Sequence, residues 1–208
     1  MTNSFDADKL LSFIRSRRSI RQYQDREVPE EAIQQILEAG RWAPSASNRQ
    51  PWHFIVIRDP DIRQSVSEHA AYAFIRWAHV GKAPGLSALC SEVKNRIYRQ
   101  KLNEGVDNTG TQMMLQAAAL GLGTCWVGGL DRKTIGDILK LPDSVELIGL
   151  LTLGYPDESP EPPPRKPLEQ ITHYEVFGNR KQGDAEAGRV ITGPLSILLR
   201  KLRIKFNK

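Results

Sequence analysis

The chain has 208 residues, of which 40% are hydrophobic and 25% charged, and this content can form the core of one globular domain. A disordered or fibrous protein is therefore excluded. The 29 basic residues exceed the 24 acidic ones by only five, so charge alone does not select nucleic acid, a membrane or a small anion as the partner.

Two helices are predicted before residue 44. Leu10, Leu11 and Ile14 recur at helical spacing, which predicts a first helix that ends near residue 16. Pro29 is followed by two glutamates and then by apolar residues on one face, so a second helix is predicted from this proline to the next one.

A basic segment, RSRRSIRQY at residues 15–23, lies between the two helices. It contains four arginines and Ser19 but no acidic residue. Guanidinium groups bind phosphate oxygens in a bidentate manner, and a serine hydroxyl can add a further hydrogen bond, so this is a candidate phosphate site. Arginines just past a helix C-terminus also favour the negative pole of the helix dipole. A solvated basic face is therefore an equally good interpretation of this segment taken alone.

The loop PSASNRQP, residues 44–51, precedes a predicted core strand at 52–59. Loops in this position often carry functional groups. Its serine, asparagine and glutamine side chains offer donors and acceptors suited to a polyol chain and to the edge of a heteroaromatic ring. An ordinary turn is the alternative interpretation.

Helices and strands alternate through the middle of the chain, which indicates a mixed α/β domain. The predicted elements are a helix at 61–79, a strand at 85–91, a helix at 104–121 capped by Gly121, an extended segment at 123–129, a helix at 131–141 with Asp131 as N-cap, and a buried strand at 145–155.

The C-terminal part of the chain changes composition twice. The proline-rich segment 156–167 is predicted to be extended, and a short helix or strand follows at 168–179. Residues 193–208 interleave apolar and basic residues. They predict an amphipathic element that packs on its own or a partner subunit, with an anionic membrane surface or an acidic partner as the alternative. We therefore expect one domain over residues 1–178 and an extension over 179–208.

Standard catalytic and metal-binding motifs are missing from the sequence. There is no GxGxxG, GxxxxGK[ST], HExxH or GxSxG motif and no paired His/Cys metal spacing, and the four histidines are scattered. Any chemistry is therefore expected from a bound cofactor rather than from a side-chain triad or a metal. Cys90 and Cys125 lie in apolar runs and are predicted to be buried free thiols. Without a signal-peptide pattern or a membrane span in the sequence, we expect a cytoplasmic protein.

Four ordered blocks resemble the FMN-dependent nitroreductase family over residues 9–177. They are RRSIRQY, AGRWAPSASNRQPWHFIVI, GLGTCWVGGL, and IGLLTLGYP followed by PPPRKPLEQITHYE. The resemblance implies an α+β fold, a three-layer α/β/α sandwich with a central, mainly antiparallel sheet. It also implies an intertwined homodimer with FMN at the subunit interface, for which helix 104–121 is a natural core element.

The same resemblance implies the site residues. The first block matches residues that bind the FMN phosphate and the pyrimidine side of the flavin, the second a loop that reaches the isoalloxazine and ribityl groups from the other subunit, the third the backbone near flavin N5 and O4, and the last a basic pair that closes on the phosphate. The first block contributes Arg17, Arg18, Ser19 and Arg21. The second contributes Pro44, Ser45, Ala46, Ser47, Asn48 and Gln50. The third contributes Gly128 and the catalytic Gly129, and the last contributes Arg165 and Lys166. The segment AFIRWAHVGKAPG gives no counterpart for the family's substrate-pocket residues.

The implied activity is an NAD(P)H:acceptor reductase in which NADH or NADPH reduces FMN and a nitroaromatic, quinone or similar oxidant then reoxidises it, in a ping-pong sequence. Same-fold alternatives are a dehalogenase, a flavin-fragmenting enzyme, or an enoate or dehydro-substrate oxidoreductase. A further alternative is a non-enzymatic basic protein that binds nucleic acid or a membrane through residues 189–208. For the favoured flavoenzyme, no nucleic-acid partner is expected. Purified protein that is yellow would discriminate between a flavoprotein and a basic binding protein.

Overall fold

The computed structural model describes residues 6–72, 75–92 and 99–180 of the chain. The chain divides into two compact units between Pro160 and Glu161. The expected boundary at 178/179 stays a prediction, because nearly all of the segment 179–208, including 193–208, lies outside the described residues.

The elements of the described residues follow one another from α1 to α7 and from β1 to β6. The helices are α1 (Ala7–Ser16), α2 (Glu30–Arg41), α3 (Pro60–Glu68), α4 (His79–Lys82), α5 (Arg99–Ala119), α6 (Arg132–Ile138) and α7 (Leu168–Ile171), and the strands are β1 (Trp52–Ile57), β2 (Ala71–Tyr72), β3 (Ile75–Arg76), β4 (Gly85–Glu92), β5 (Gly123–Val127) and β6 (Val145–Gly154).

The central sheet has four strands in the order β1-β4-β6-β5, and all three neighbouring pairs are antiparallel. Within the described residues the last strand, β6, lies between β4 and β5, so the long crossover through α5 connects strands that are not neighbours. A mixed α/β domain is therefore the wrong interpretation of the alternating elements. The α+β fold that the family resemblance implies is confirmed.

Each face of the sheet packs against helices. Buried residues of α2 and α5 cover one face together with Leu89 and Leu151, and buried residues of α3, α4 and α6 cover the other together with Ala88 and Leu150. Successive strand residues alternate between these two clusters, as the period of a pleated strand requires. The result is a three-layer sandwich.

The indole of Trp126 lies between α5 and β6, where only glycine leaves room for it. A Cβ atom on Gly110 would lie 2.5 Å from Trp126 Cζ3, and a Cβ atom on Gly149 would lie 2.4 Å from Cζ2. Both distances are far shorter than a carbon–carbon contact, so the two glycines allow α5 to pack closely over the sheet.

Residues 61–79 do not form the single helix that the sequence predicts. The helix α3 ends at Glu68, and the short antiparallel pair β2/β3 and the four-residue α4 follow. The segment AAYAFIRW contains aromatic and β-branched residues, which favour extended backbone over helix. The helical spacing of apolar residues in α3 therefore does not continue beyond Glu68.

Other elements agree with the sequence except at their ends. Gly121 has φ +74° and caps α5 as predicted, but α5 begins at Arg99 rather than at 104. Asp131 is the N-cap of α6 and accepts a hydrogen bond from Thr134 N–H, but α6 ends at Ile138 rather than at 141. Element ends are set by capping and tertiary contacts, which periodicity does not encode.

Cys90 and Cys125 are buried free thiols, as predicted. Burial raises the pKa of Cys90 to about 12 and also raises that of Cys125. In the part of the chain described here, no helix combines the length and the apolar character needed to cross a bilayer.

We predict that Gly149→Ala lowers the free energy of unfolding by about 1–3 kcal/mol, because the new methyl group overpacks against Trp126. Gly136→Ala is the matched control, since its Cβ would lie 3.7 Å from Leu141 and a helical alanine gains up to about 1 kcal/mol. Urea unfolding should show a lower midpoint at unchanged slope for the first variant only. A Gly149→Ala midpoint equal to that of the wild type would contradict the close packing of Trp126 against Gly149.

Candidate functional site

The basic segment pairs with the outer edge of the sheet. Ile20 N–H donates to Thr124 O at 2.8 Å, and Ser19 forms a parallel bridge with Thr124 at the start of β5. A Cβ atom on Gly123 would lie 2.7 Å from Ile20, so this glycine permits the close approach. Residues 17–21 are therefore held as an extended strap beside β5.

Tyr23 fixes the strap from the opposite side. Its hydroxyl donates to Ile20 O and shares a 2.6 Å hydrogen bond with Thr152 Oγ1, which also accepts from Cys125 N–H at 3.0 Å. Burial raises the pKa of the Tyr23 phenol well above its usual range, and the hydrogen bond to Thr152 only partly offsets this effect. The phenol is thus a neutral buried group with a structural role.

The arginines of the strap have different surroundings. The Arg18 guanidinium donates to the carbonyl oxygens of Arg15 at 2.7 Å and Ser16 at 3.0 Å, so it caps the C-terminus of α1, and its Nε donates to Pro160 O at 3.2 Å. Arg21 Nη1 donates to Ser19 O at 3.2 Å. Arg17 lies in the wall of a neighbouring cleft. Arg18 therefore has the structural role that the position of the arginines just past the C-terminus of α1 suggested as an alternative.

The cleft beside the strap has a volume of about 240 Å³. Its walls include Arg17, Arg18, Thr124 and Glu158. The Glu158 carboxylate accepts hydrogen bonds from the backbone N–H groups of Arg21 and Gln22. Sequence analysis missed Glu158, which stands in the proline-rich segment without a pattern to mark it. Its position shows that the strap offers backbone donors to an anionic oxygen.

The loop 44–51 carries exposed polar side chains on a strained backbone. Ser47, Asn48 and Gln50 have φ values of 53°, 52° and 49°, in the left-handed region. The Ser45 hydroxyl accepts from Gln50 N–H at 3.0 Å, and Gln50 Nε2 donates to Asn48 Oδ1 at 3.2 Å. Strain of this kind, held by local hydrogen bonds, is a frequent property of functional loops.

The N-terminal half of α5 supports this loop. Asn108 Nδ2 donates to Pro44 O at 3.4 Å, and a Cβ atom on Gly105 would lie 3.5 Å from Ser45 Cβ. Ala118, near the other end of α5, borders the basic cleft. With a rise of 1.5 Å per residue, Gly105 and Ala118 are about 20 Å apart along α5. The fold therefore does not bring the polar loop and the basic strap of one chain together.

The Gly128–Gly129 turn follows the end of β5. Gly128 is exposed, and its carbonyl oxygen accepts from Arg132 Nη2 at 3.3 Å. The same guanidinium donates to Ile148 O at 3.3 Å and to Leu147 O at 3.1 Å. Sequence analysis missed Arg132, since a single arginine on a short helix has no distinctive signal.

The buried polar atoms without a hydrogen-bond partner among the described residues include Trp77 Nε1, His79 Nε2 and Ser87 Oγ. Burial, and then the positive charge of Arg21, lower the pKa of His79 to about 4, so the imidazole is neutral. The two rings lie edge to face with centroids 6.1 Å apart. The sequence suggested only a structural or surface role for this histidine.

The remaining predicted residues, Arg165 and Lys166, belong to the second unit, where both are exposed. No group of three or more His, Cys, Asp or Glu side chains suited to a metal ion occurs within the described ranges.

Comparison with known proteins decides the family. The model of the nitroreductase family matches residues 14–79 and 97–155, which is more than half of the chain. The chain belongs to the nitroreductase family. The resemblance noted in the four sequence blocks is thereby confirmed.

Named relatives within this family support the assignment. A protein of Archaeoglobus fulgidus, named for NADH dehydrogenase and NAD(P)H nitroreductase activities, is 35% identical over 73% of this chain and 87% of its own length. The NADH dehydrogenase of Thermus thermophilus is 31% identical over 74% of this chain and 90% of its own.

Solved structures of nitroreductases share the fold. A nitroreductase family protein of Clostridium difficile is 32% identical, with a TM-score of 0.69 over 80% of this chain and 98% of its own. An FMN-dependent nitroreductase of the same species is 27% identical, with a TM-score of 0.71 over 80% and 99% of the two chains.

We predict that Tyr23→Phe lowers the stability of this nitroreductase family member by about 1 kcal/mol near neutral pH, because one buried hydrogen-bond network is lost. Because the pKa of Tyr23 is raised in the folded state, the neutral phenol stabilises the wild-type fold below the unfolded pKa near 10. This stabilisation is lost as pH rises above that value.

Urea unfolding of both proteins at pH 9 and pH 11 measures this effect. The free energy of unfolding should fall by about 1 kcal/mol more in the wild type than in the phenylalanine variant over this range. Parallel pH profiles for the two proteins would contradict the buried position of the phenol.

Proposed function

We propose that this protein is an FMN-dependent NAD(P)H:acceptor oxidoreductase of nitroreductase type that acts in the cytoplasm as a homodimer. The observation that carries the proposal is the distribution of binding groups along β5. Basic residues and backbone donors lie beside Gly123, and a turn without side chains follows at Gly128, about 17 Å further along the strand. Buried free thiols fit a reducing compartment.

FMN fits this arrangement because its phosphate and its flavin ring lie at opposite ends of the molecule. The strap can supply the guanidinium groups of Arg17 and Arg21 and the Ser19 hydroxyl to the phosphate and the pyrimidine side. The N–H groups of Arg21 in the strap and of the adjacent Gln22 already bind a carboxylate oxygen of Glu158, so this stretch of backbone accepts an anion. Arg165 and Lys166 are proposed to add positive charge to the phosphate from the proline-rich arm.

Bound FMN supplies the redox chemistry, in which a hydride from NADH or NADPH arrives at N5 and a nitroaromatic, quinone or similar oxidant takes the electrons in a second, ping-pong half-reaction. The backbone N–H of Gly129 is proposed to donate a hydrogen bond at N5. A glycine pair suits this task because no side chain shields the flavin from either reactant. No nucleophilic side chain is needed.

A second copy of the chain is needed to complete the site in this proposal. The polar loop and the basic strap lie at opposite ends of α5 in one chain. No residue of α1 is buried, and its Leu10, Leu11 and Ile14 side chains are 43–45% exposed. An uncovered apolar helix face of this kind supports burial against a partner subunit. Pro44, Ser45, Ala46, Ser47, Asn48 and Gln50 of one chain would then reach the flavin held by Arg17, Arg18, Ser19 and Arg21 of the other.

The activity is tested on purified protein with a panel of electron acceptors. We expect a yellow protein that contains FMN and oxidises NADH or NADPH when a quinone, a nitroaromatic compound or free flavin is present. Parallel lines in double-reciprocal plots would support the ping-pong order. A colourless protein that does not bind added FMN would overturn the proposal, and bound FMN that neither nucleotide reduces would favour one of the specialised same-fold reactions.

The shared site is tested by mixing two inactive chains. We expect Arg17→Ala and Asn48→Ala homodimers each to retain less than about a tenth of the wild-type FMN, because each loses one side of both sites. Co-expressed, differently tagged chains should form mixed dimers with one intact site and about half of the wild-type FMN content.

Lys133→Ala is the matched control for the loss of one positive charge, since this side chain is exposed and pairs only locally with Asp137 at 3.0 Å. It should retain its FMN. Mixed dimers with no more FMN than the two parent variants would show that each site lies within one chain.

A further inference from the structure

The Gly128–Gly129 turn needs an external constraint to hold one conformation. Glycine has access to more backbone conformations than any other residue, and this turn has no side chains of its own to pack. Asp131 N–H donates to His69 O at 3.0 Å, which fixes the chain two residues after the turn. The turn itself is bound by the Arg132 guanidinium at Gly128 O.

Arg132 is itself fixed to the sheet where β5 has ended. The last pair between β5 and β6 is Val127 with Leu150, so the carbonyl groups of Leu147 and Ile148 lie beyond β5. Arg132 Nε donates to Leu147 O at 3.1 Å, and Nη2 donates to Ile148 O at 3.3 Å. The guanidinium thus donates hydrogen bonds to β6 where β5 no longer pairs with it.

A β-bulge makes this double contact possible. Consecutive carbonyl groups of a regular strand point to opposite sides, and one side chain would reach only one of them. The register between β4 and β6 shifts between Leu89 and Cys90, so Ile148 has no partner on β4. The bulge turns the local backbone and lets two successive carbonyl oxygens accept from the same planar group.

Holding the Gly128 oxygen also sets the direction of the next N–H group. Gly128 C=O and Gly129 N–H belong to one peptide unit, which is planar and trans, so the two bonds point in opposite directions. A guanidinium fork with two further hydrogen bonds to a rigid strand is a fixed reference for that plane. Gly129 N–H is therefore directed away from Arg132.

We propose that Arg132 is a positioning residue that aims the Gly129 N–H at flavin N5. The inference rests on the proposed function, since it needs FMN beside the turn. Arg132 acts through the peptide plane and not by touching the cofactor. Its replacement should change the hydrogen bond at N5 and the rate of flavin reduction, while FMN stays bound through the strap.

The experiment uses the FMN-loaded protein with Arg132→Gln, Arg132→Lys and the control Lys133→Gln. The readouts are the FMN dissociation constant, the rate of flavin reduction by NAD(P)H in stopped flow, and the ¹⁵N resonance of N5 in labelled FMN. We expect both Arg132 variants to shift the N5 resonance and to slow reduction about ten- to hundredfold, the range known for a misplaced reacting group, with less than about threefold loss of FMN affinity. The control should match the wild type.

A double-variant cycle separates positioning from general stability. In a Gly129→Pro background, which lacks the N–H group, Arg132→Gln should cause no further shift of the N5 resonance and no further loss of rate. An unchanged N5 resonance and rate in folded, FMN-bound Arg132 variants would overturn the inference, and so would unfolding of both variants. Wild-type protein that binds no FMN would instead mean that the proposed function has failed.

Discussion

The backbone pairing between Ile20 and Thr124 is the interaction on which the candidate site depends. It attaches a basic strap to the start of β5, and the opposite end of the same strand leads into the glycine turn. The distance between the two groups is therefore fixed by a strand, which is rigid, rather than by a loop. The glycine at 123 and the phenol of Tyr23 both serve this one attachment from opposite sides.

The position of β6 is the second constraint. Because this strand enters between β4 and β5, it has partners on both sides, and most of its residues are buried. The register between β4 and β6 also contains a bulge near Cys90. Since β5 ends before it reaches Leu147 and Ile148 of β6, the carbonyl groups of these two residues can accept hydrogen bonds from Arg132. The order of the strands therefore affects the proposed cofactor site through the side chain of Arg132.

The sequence predicted the elements better than their contacts. Hydrophobic periodicity and capping residues gave α1, α2, β4, β6 and the cap at Gly121, because these signals are local. The same signals failed at residues 69–79, where the short antiparallel pair β2/β3 and the start of α4 replace the predicted helix. They also could not show that strands alternating with helices would pair antiparallel, since strand order depends on contacts between distant residues. Glu158 and Arg132 were missed for that reason. Residue chemistry marked the basic segment and the loop 44–51 as candidate sites, whereas the glycine pair at 128–129 and the basic pair at 165–166 came from the family resemblance alone.

The strained loop after Pro44 has a consequence for natural and engineered variation. Three residues with side chains adopt backbone angles at which β-branched residues are strongly disfavoured, whereas glycine, asparagine and aspartate are tolerated. A library that randomises residues 47, 48 and 50 would therefore be filtered by backbone geometry before any selection for acceptor preference. Diversity aimed at the choice of oxidant is better placed at Ala46, whose backbone lies outside the left-handed region.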